Sequence, residues 1–136
     1  MRFRRLFRTI LSVAILTSAV FLLRAEAIEA SAQVLVLREQ DAGKTVDVPV
    51  GGVAEIRLAE NPTTGYRWAI VQFSGKICAI IHDEFIPPVS NLLGAGGEHV
   101  WRLRAMAPGD CEIELIYARA SGNAEPRVYR VRLHVP

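Results

Sequence analysis

The chain has 136 residues, with 16 Lys and Arg against 14 Asp and Glu, enough for one domain with one core and too few for two. Its positive charge sits at the start, because residues 1 to 27 hold five arginines and one glutamate, and without them 11 basic residues face 13 acidic ones. A mildly acidic remainder with no basic stripe excludes nucleic acid and anionic membrane as electrostatic partners.

Met1 to Arg8 carries four arginines, Thr9 to Leu23 is an uncharged and mostly apolar run, and Ala25-Glu26-Ala27 and Ala30-Ser31-Ala32 follow as small-residue sites. That three-part build predicts a secretory signal peptide. The apolar run of 15 residues is shorter than the roughly 20 that cross a bilayer, which favours cleavage over anchoring. No cysteine lies nearby, which rules out a lipoprotein anchor. The expected organisation is a signal peptide over residues 1–27, cut as late as residue 32, and a domain over 33–136. Its product would be exported, periplasmic or secreted, and free of the membrane.

Beyond residue 33 the dominant pattern is alternation with period two, the mark of strands with one buried face. Val34 to Leu37 and Val46 to Val50 open the domain. Ala54, Ile56 and Leu58 then alternate with Glu55 and Arg57. Tyr66, Trp68 and Ile70 share a face, with Trp68 read as a core indole in a central strand. Ile77 to Phe85 is apolar on both faces, and Pro87-Pro88 ends it because neither proline donates to a ladder. Trp101, Leu103 and Ala105 alternate with Arg102 and Arg104. Pro108-Gly109 reads as a tight turn closing a hairpin with Cys111, Ile113, Leu115 and Tyr117. In the last strand Tyr129, Val131, Leu133 and Val135 point inward and Arg130, Arg132 and His134 outward. About seven short strands separated by turn signals predict an all-β antiparallel sandwich.

Cys78 and Cys111 are the only cysteines. In an exported domain such a pair is a candidate disulfide, closing 33 residues and contributing roughly 3 to 4 kcal/mol if unstrained. Two separate buried thiols fit the sequence equally well.

Three connecting segments stand out. In Asn61-Pro62-Thr63-Thr64-Gly65-Tyr66, Pro62 pushes Asn61 into an extended conformation and Gly65 permits a positive φ, which places two threonines on a stiffened tip. A stiff tip loses little entropy on binding, although the same composition suits an ordinary turn. Asn91 to Gly97 places three glycines within four positions, baring main-chain groups for a partner's backbone or simply forming a flexible connection. It matches no phosphate-binding pattern. Ala118 to Pro126, with Arg119, Ala120, Ser121 and Gly122, says little alone.

Ser90, His82 and Asp83 supply residue types for nucleophilic catalysis, but neighbours on a strand point to opposite faces and no nucleophile motif surrounds a serine. His82, His99, His134 and the cysteines match no zinc spacing. Neither an enzyme nor a cofactor or metal site is expected.

The NPTTGY segment, then Pro87-Pro88 with Leu92-Leu93-Gly94-Ala95-Gly96-Gly97, then Arg119 after a strand containing Tyr117, resembles in this order the chagasin family. The resemblance covers essentially the whole chain beyond the leader. It implies an immunoglobulin-like fold and reversible inhibition of papain-like cysteine proteases by a monomer that inserts three loops into the active-site cleft. By position, Asn61, Pro62, Thr63, Thr64, Gly65 and Tyr66 would cover the catalytic cysteine and histidine. Leu93, Gly94, Ala95, Gly96 and Gly97 would lie along the cleft wall, and Arg119 would stand for the arginine of the family's Arg-Pro-Trp loop. Ala120 and Ser121 replace that proline and tryptophan. A buried interface tryptophan is worth about 2 kcal/mol or more, roughly thirtyfold in affinity, so the replacement implies weaker or narrower inhibition. The rival reading is an exported immunoglobulin-like module that binds some other partner without inhibiting a protease.

Overall fold

The computed structural model describes residues 34–90, 92–121 and 124–136. The predicted signal peptide lies outside them, as do Asn91, Gly122 and Asn123.

Eight strands run in chain order: β1 (Val34–Leu37), β2 (Thr45–Asp47), β3 (Val53–Glu60), β4 (Tyr66–Phe73), β5 (Cys78–Ile86), β6 (Gly97–Ala105), β7 (Gly109–Arg119) and β8 (Arg127–Val135). They form two four-stranded sheets, ordered β1-β3-β6-β5 and β2-β8-β7-β4. Alternation put the core where the sequence predicted it. Ala54, Ile56, Leu58, Trp101, Leu103 and Ala105 from the first sheet meet Trp68, Ile113, Leu115, Tyr129, Val131, Leu133 and Val135 from the second, all buried in one cluster. Removing this apolar surface from water is the main favourable contribution to the fold.

Four expectations need correction. The strand count is eight rather than about seven, and the sandwich is not wholly antiparallel: β1 pairs with β3, and β2 with β8, in parallel. Alternation specifies which face a side chain takes and carries no information on strand direction. The Pro108-Gly109 turn does not close a hairpin. Both edges of β6 are already occupied, by β3 and β5, while β7 pairs with β4 and β8. The turn therefore carries the chain from one sheet to the other, held by a bond from the Met106 amide to the Ile77 carbonyl at 2.7 Å. Trp68 is a core indole, as expected, but β4 is an edge strand.

On the outer face of the first sheet Glu55 is only 6% exposed because two arginines cover it. Arg57 Nε lies 2.7 Å from Oε1 and Arg102 Nε 2.6 Å from Oε2. Burial pushes the Glu55 carboxyl up, but the bonds and charges of Arg102 and Arg57 outweigh it and hold the group below its ordinary value. A carboxyl depressed by folding stabilises above its unfolded pKa, and that stability is lost as pH falls through the folded pKa. Urea midpoints measured downward from pH 5 are expected to fall less steeply in Glu55→Gln than in the wild type. Parallel curves would show that the arginine pair contributes nothing to acid sensitivity.

Candidate functional site

The NPTTGY segment links β3 in one sheet to β4 in the other, and its residues shape it locally. Asn61 is extended, at φ −123° and ψ 90°, as its following proline requires. Pro62–Thr64 then make one 3₁₀ turn, and Gly65 ends it at φ 81°, a left-handed conformation that a side chain with Cβ resists. Asn61 Oδ1 accepts from the Thr63 amide at 3.2 Å and from the Thr63 hydroxyl at 2.6 Å. The Thr64 hydroxyl donates to the Asn61 carbonyl at 2.6 Å. Both hydroxyl protons are therefore used inside the loop, and what each exposed threonine offers outward is oxygen lone pairs.

The other two segments brace this tip. Asn61 Nδ2 donates to the Gly94 carbonyl at 2.9 Å, and a Cβ at Gly96 would sit 3.4 Å from the Glu60 carbonyl and 3.5 Å from Asn61 Cβ. On the opposite side Arg119 Nη2 donates to the Thr64 carbonyl at 2.6 Å, and its guanidinium lies 4.9 Å from the Tyr66 ring centroid. Asn61, Thr64, Gly65, Tyr66, Gly94, Gly96 and Arg119 thus gather at one end of the sandwich. Arg119 is engaged within the molecule and supports the tip from beside it.

The remaining predicted residues serve differently. Leu93 is fully exposed, with Leu92 beside it 77% exposed. The Ala95 amide turns back to the Leu92 carbonyl at 3.2 Å. Gly97 opens β6, where a Cβ would collide with the Ile86 carbonyl and approach Phe85 Cζ at 2.8 Å. The close passage of two strands calls for a glycine there.

Sequence reasoning missed the stem of the tip. Glu60, 2% exposed, accepts from the Trp68 amide at 2.7 Å. It also faces His99 Nδ1 at 3.2 Å, while His99 Nε2 meets Asp83 Oδ1 at 2.7 Å. The Trp68 indole donates to the Ala59 carbonyl at 2.9 Å, and the Tyr117 hydroxyl accepts from the Asn61 amide at 3.1 Å. The rings of Tyr66, Tyr117 and Trp68 pack in series, tilted to one another, with centroids 5.5 and 5.0 Å apart. The signal was available: Glu60 continues the core-face series Ala54, Ile56, Leu58, where an acidic residue is out of place unless it has partners.

The histidines are scattered among separate acidic partners, His82 with Glu84, His99 with Asp83 and Glu60, and His134 with Asp110. Among the described residues no group of three candidate ligands could hold a metal.

A two-sheet frame holds segments of three connections together at one end, with loop backbone and short side chains exposed there. The chain belongs to the chagasin family: the sequence profile described as Chagasin family peptidase inhibitor I42 matches residues 47–135. It is an inhibitor, not an enzyme. Chagasin from Trypanosoma cruzi is 35% identical over 81 residues, spanning 57% of this chain and 74% of that protein. Amoebiasin-1 from Entamoeba histolytica is 28% identical over 102 residues, spanning 73% and 97%. Among solved structures, a cysteine protease inhibitor from Entamoeba histolytica superposes with a TM-score of 0.66 at 21% identity, covering 76% of this chain and 96% of that one. At that identity the likeness concerns the all-β two-sheet fold.

Proposed function

We propose that this cysteine protease inhibitor acts on papain-like enzymes by plugging the active-site cleft with the three loops, as an immunoglobulin-like domain of residues 33–136. In this reading residues 1–27 direct export to the periplasm or beyond the cell and are then removed, and the mature domain acts as a monomer. The reading is carried by one observation: Asn61 bonds to Gly94 while Thr64 bonds to Arg119, so three segments distant in sequence form one pre-organised surface. A surface already ordered loses little freedom on docking.

A protease cleaves a peptide only when an extended carbonyl lies beside its nucleophile and oxyanion donors. The 3₁₀ turn of Pro62–Thr64 curls the backbone away from that geometry, so it can fill the cleft uncut. With their protons committed to Asn61, the Thr63 and Thr64 oxygens act as acceptors, which suits a donor such as a protease imidazolium. Leu93 to Gly97 lies along the cleft wall. Exposed Ala120 and Ser121 contribute no aromatic anchor, which leaves the first two loops with most of the affinity.

The mature protein titrated against several papain-like proteases should give reversible, stoichiometric inhibition and leave a serine protease untouched. Gly65→Val faces both the φ of 81° and a Cβ 3.3 Å from Arg119 Nε, so its inhibition constant should rise at least tenfold. Thr63→Ala should rise by about threefold to tenfold for one lost polar contact, with Tm nearly unchanged. Equal constants for the wild type and both variants would reject the tip as the contact, and no inhibition of any papain-like enzyme would favour a non-inhibitory binding module.

A further inference from the structure

We propose that Cys78 and Cys111 form a disulfide joining the two sheets, closed while the chain folds. Cys78 opens β5 in one sheet, and Cys111 lies in β7 of the other. Both are free thiols at 0% exposure in the same core cluster. They converge on one point: the Cys78 amide and Cys111 Sγ both reach the Ser74 carbonyl oxygen, at 3.4 and 3.8 Å. A bridge here would add a covalent tie across the core to the packing and to the hydrogen bonds, Trp68 to Glu60 and to Ala59, that already join the two sheets.

The same burial dictates when the bond forms. It pushes the Cys78 thiol up to about 12 and raises Cys111 as well, which leaves almost no thiolate at neutral pH once the sheets have closed, and the thiolate is the attacking species. Exchange therefore belongs to the open chain. One thiolate attacks a disulfide donor to give a mixed disulfide and expels one donor thiol. The second cysteine thiolate then attacks that mixed disulfide, forms the Cys78–Cys111 bond and expels the other. The protein loses two protons and two electrons, and the donor is reduced to two thiols.

Oxidised glutathione serves as the probe. Protein unfolded in reductant, desalted and refolded with excess oxidised glutathione should lose both thiols to a thiol reagent added in denaturant, and should yield one reducible cross-linked peptide containing Cys78 and Cys111. It should melt roughly 10 °C or more above the dithiol form refolded in reductant. The folded dithiol form, given the same donor for the same time without denaturant, should keep both thiols. Two reactive thiols after oxidative refolding, or glutathione left on either cysteine, would overturn the bridge. Rapid bridging of the already folded form would overturn its timing, and a bridged form that melts no higher than the dithiol form would overturn its role as a tie. These readouts are independent of protease inhibition.

Discussion

Glu60→Leu is expected to destabilise the domain by about 2 to 4 kcal/mol and to weaken inhibition by roughly tenfold even at temperatures where it stays folded. The carboxylate is buried and accepts from the Trp68 amide at 2.7 Å. That amide belongs to an edge strand and turns toward the other sheet, so Glu60 is the acceptor that ties the two ends of the NPTTGY loop together. Leucine occupies similar space without an acceptor, and a buried amide left unpaired costs about 1 to 3 kcal/mol, with more lost because the original acceptor is charged. His99 and Arg67 Nη1, the latter 3.5 Å from Glu60 Oε1, lose their shared partner as well. Glu60→Gln keeps an oxygen for the Trp68 amide and should recover most of the stability. Urea denaturation and inhibition constants for the three proteins decide the matter: a leucine variant within 0.5 kcal/mol of the wild type would mean the carboxylate is not a tie.

The faces of the strands were legible in the sequence because alternation is a property of the single strand. Leu115, Trp101 and Val131 could be placed inward with no knowledge of their neighbours. What alternation leaves out is pairing, and so the parallel edges and the sheet-to-sheet turn at Pro108-Gly109 were misread. The site divides in the same way. Proline, glycine and asparagine predicted a stiff tip from local chemistry, whereas its bracing by Gly94 and Arg119 depends on contacts between distant segments. Parity did hold a further clue. Glu60, His99, Tyr117 and Arg119 extend inward-facing series of β3, β6 and β7, and each turns polar at the loop end. The core there changes from apolar packing to hydrogen bonds, Glu60 to Trp68, Tyr117 to Asn61 and Arg119 to Thr64. That polar inner rim is what lets the sandwich end in ordered loops rather than in solvent.

Alanine substitution in the glycine segment is expected to separate its three glycines, with Gly97→Ala costing about 3 kcal/mol, Gly94→Ala about 1 kcal/mol and Gly96→Ala near zero. At Gly97 the obstruction is backbone: the new Cβ would overlap the Ile86 carbonyl and press on Phe85. No rotamer change relieves a clash with a carbonyl, so the end of β5 must move away from β6 and loosen the pairing of Ile86 with Glu98. At Gly94 there is nothing within 4 Å, but φ is 80°, which leaves only a conformational cost. Gly96 has neither a positive φ nor a contact shorter than 3.4 Å, and an added Cβ would lie 3.5 Å from Asn61 Cβ at the tip. If bare backbone at this point meets a protease, Gly96→Ala should unfold at the same urea concentration as the wild type yet bind several-fold more weakly. Gly97→Ala should show the reverse, with most of its lost inhibition explained by lost stability. A Gly96→Ala protein that inhibits like the wild type would restrict the contact surface to the threonine tip, because the segment's only remaining part in binding would then be the bond from Asn61 to the Gly94 carbonyl.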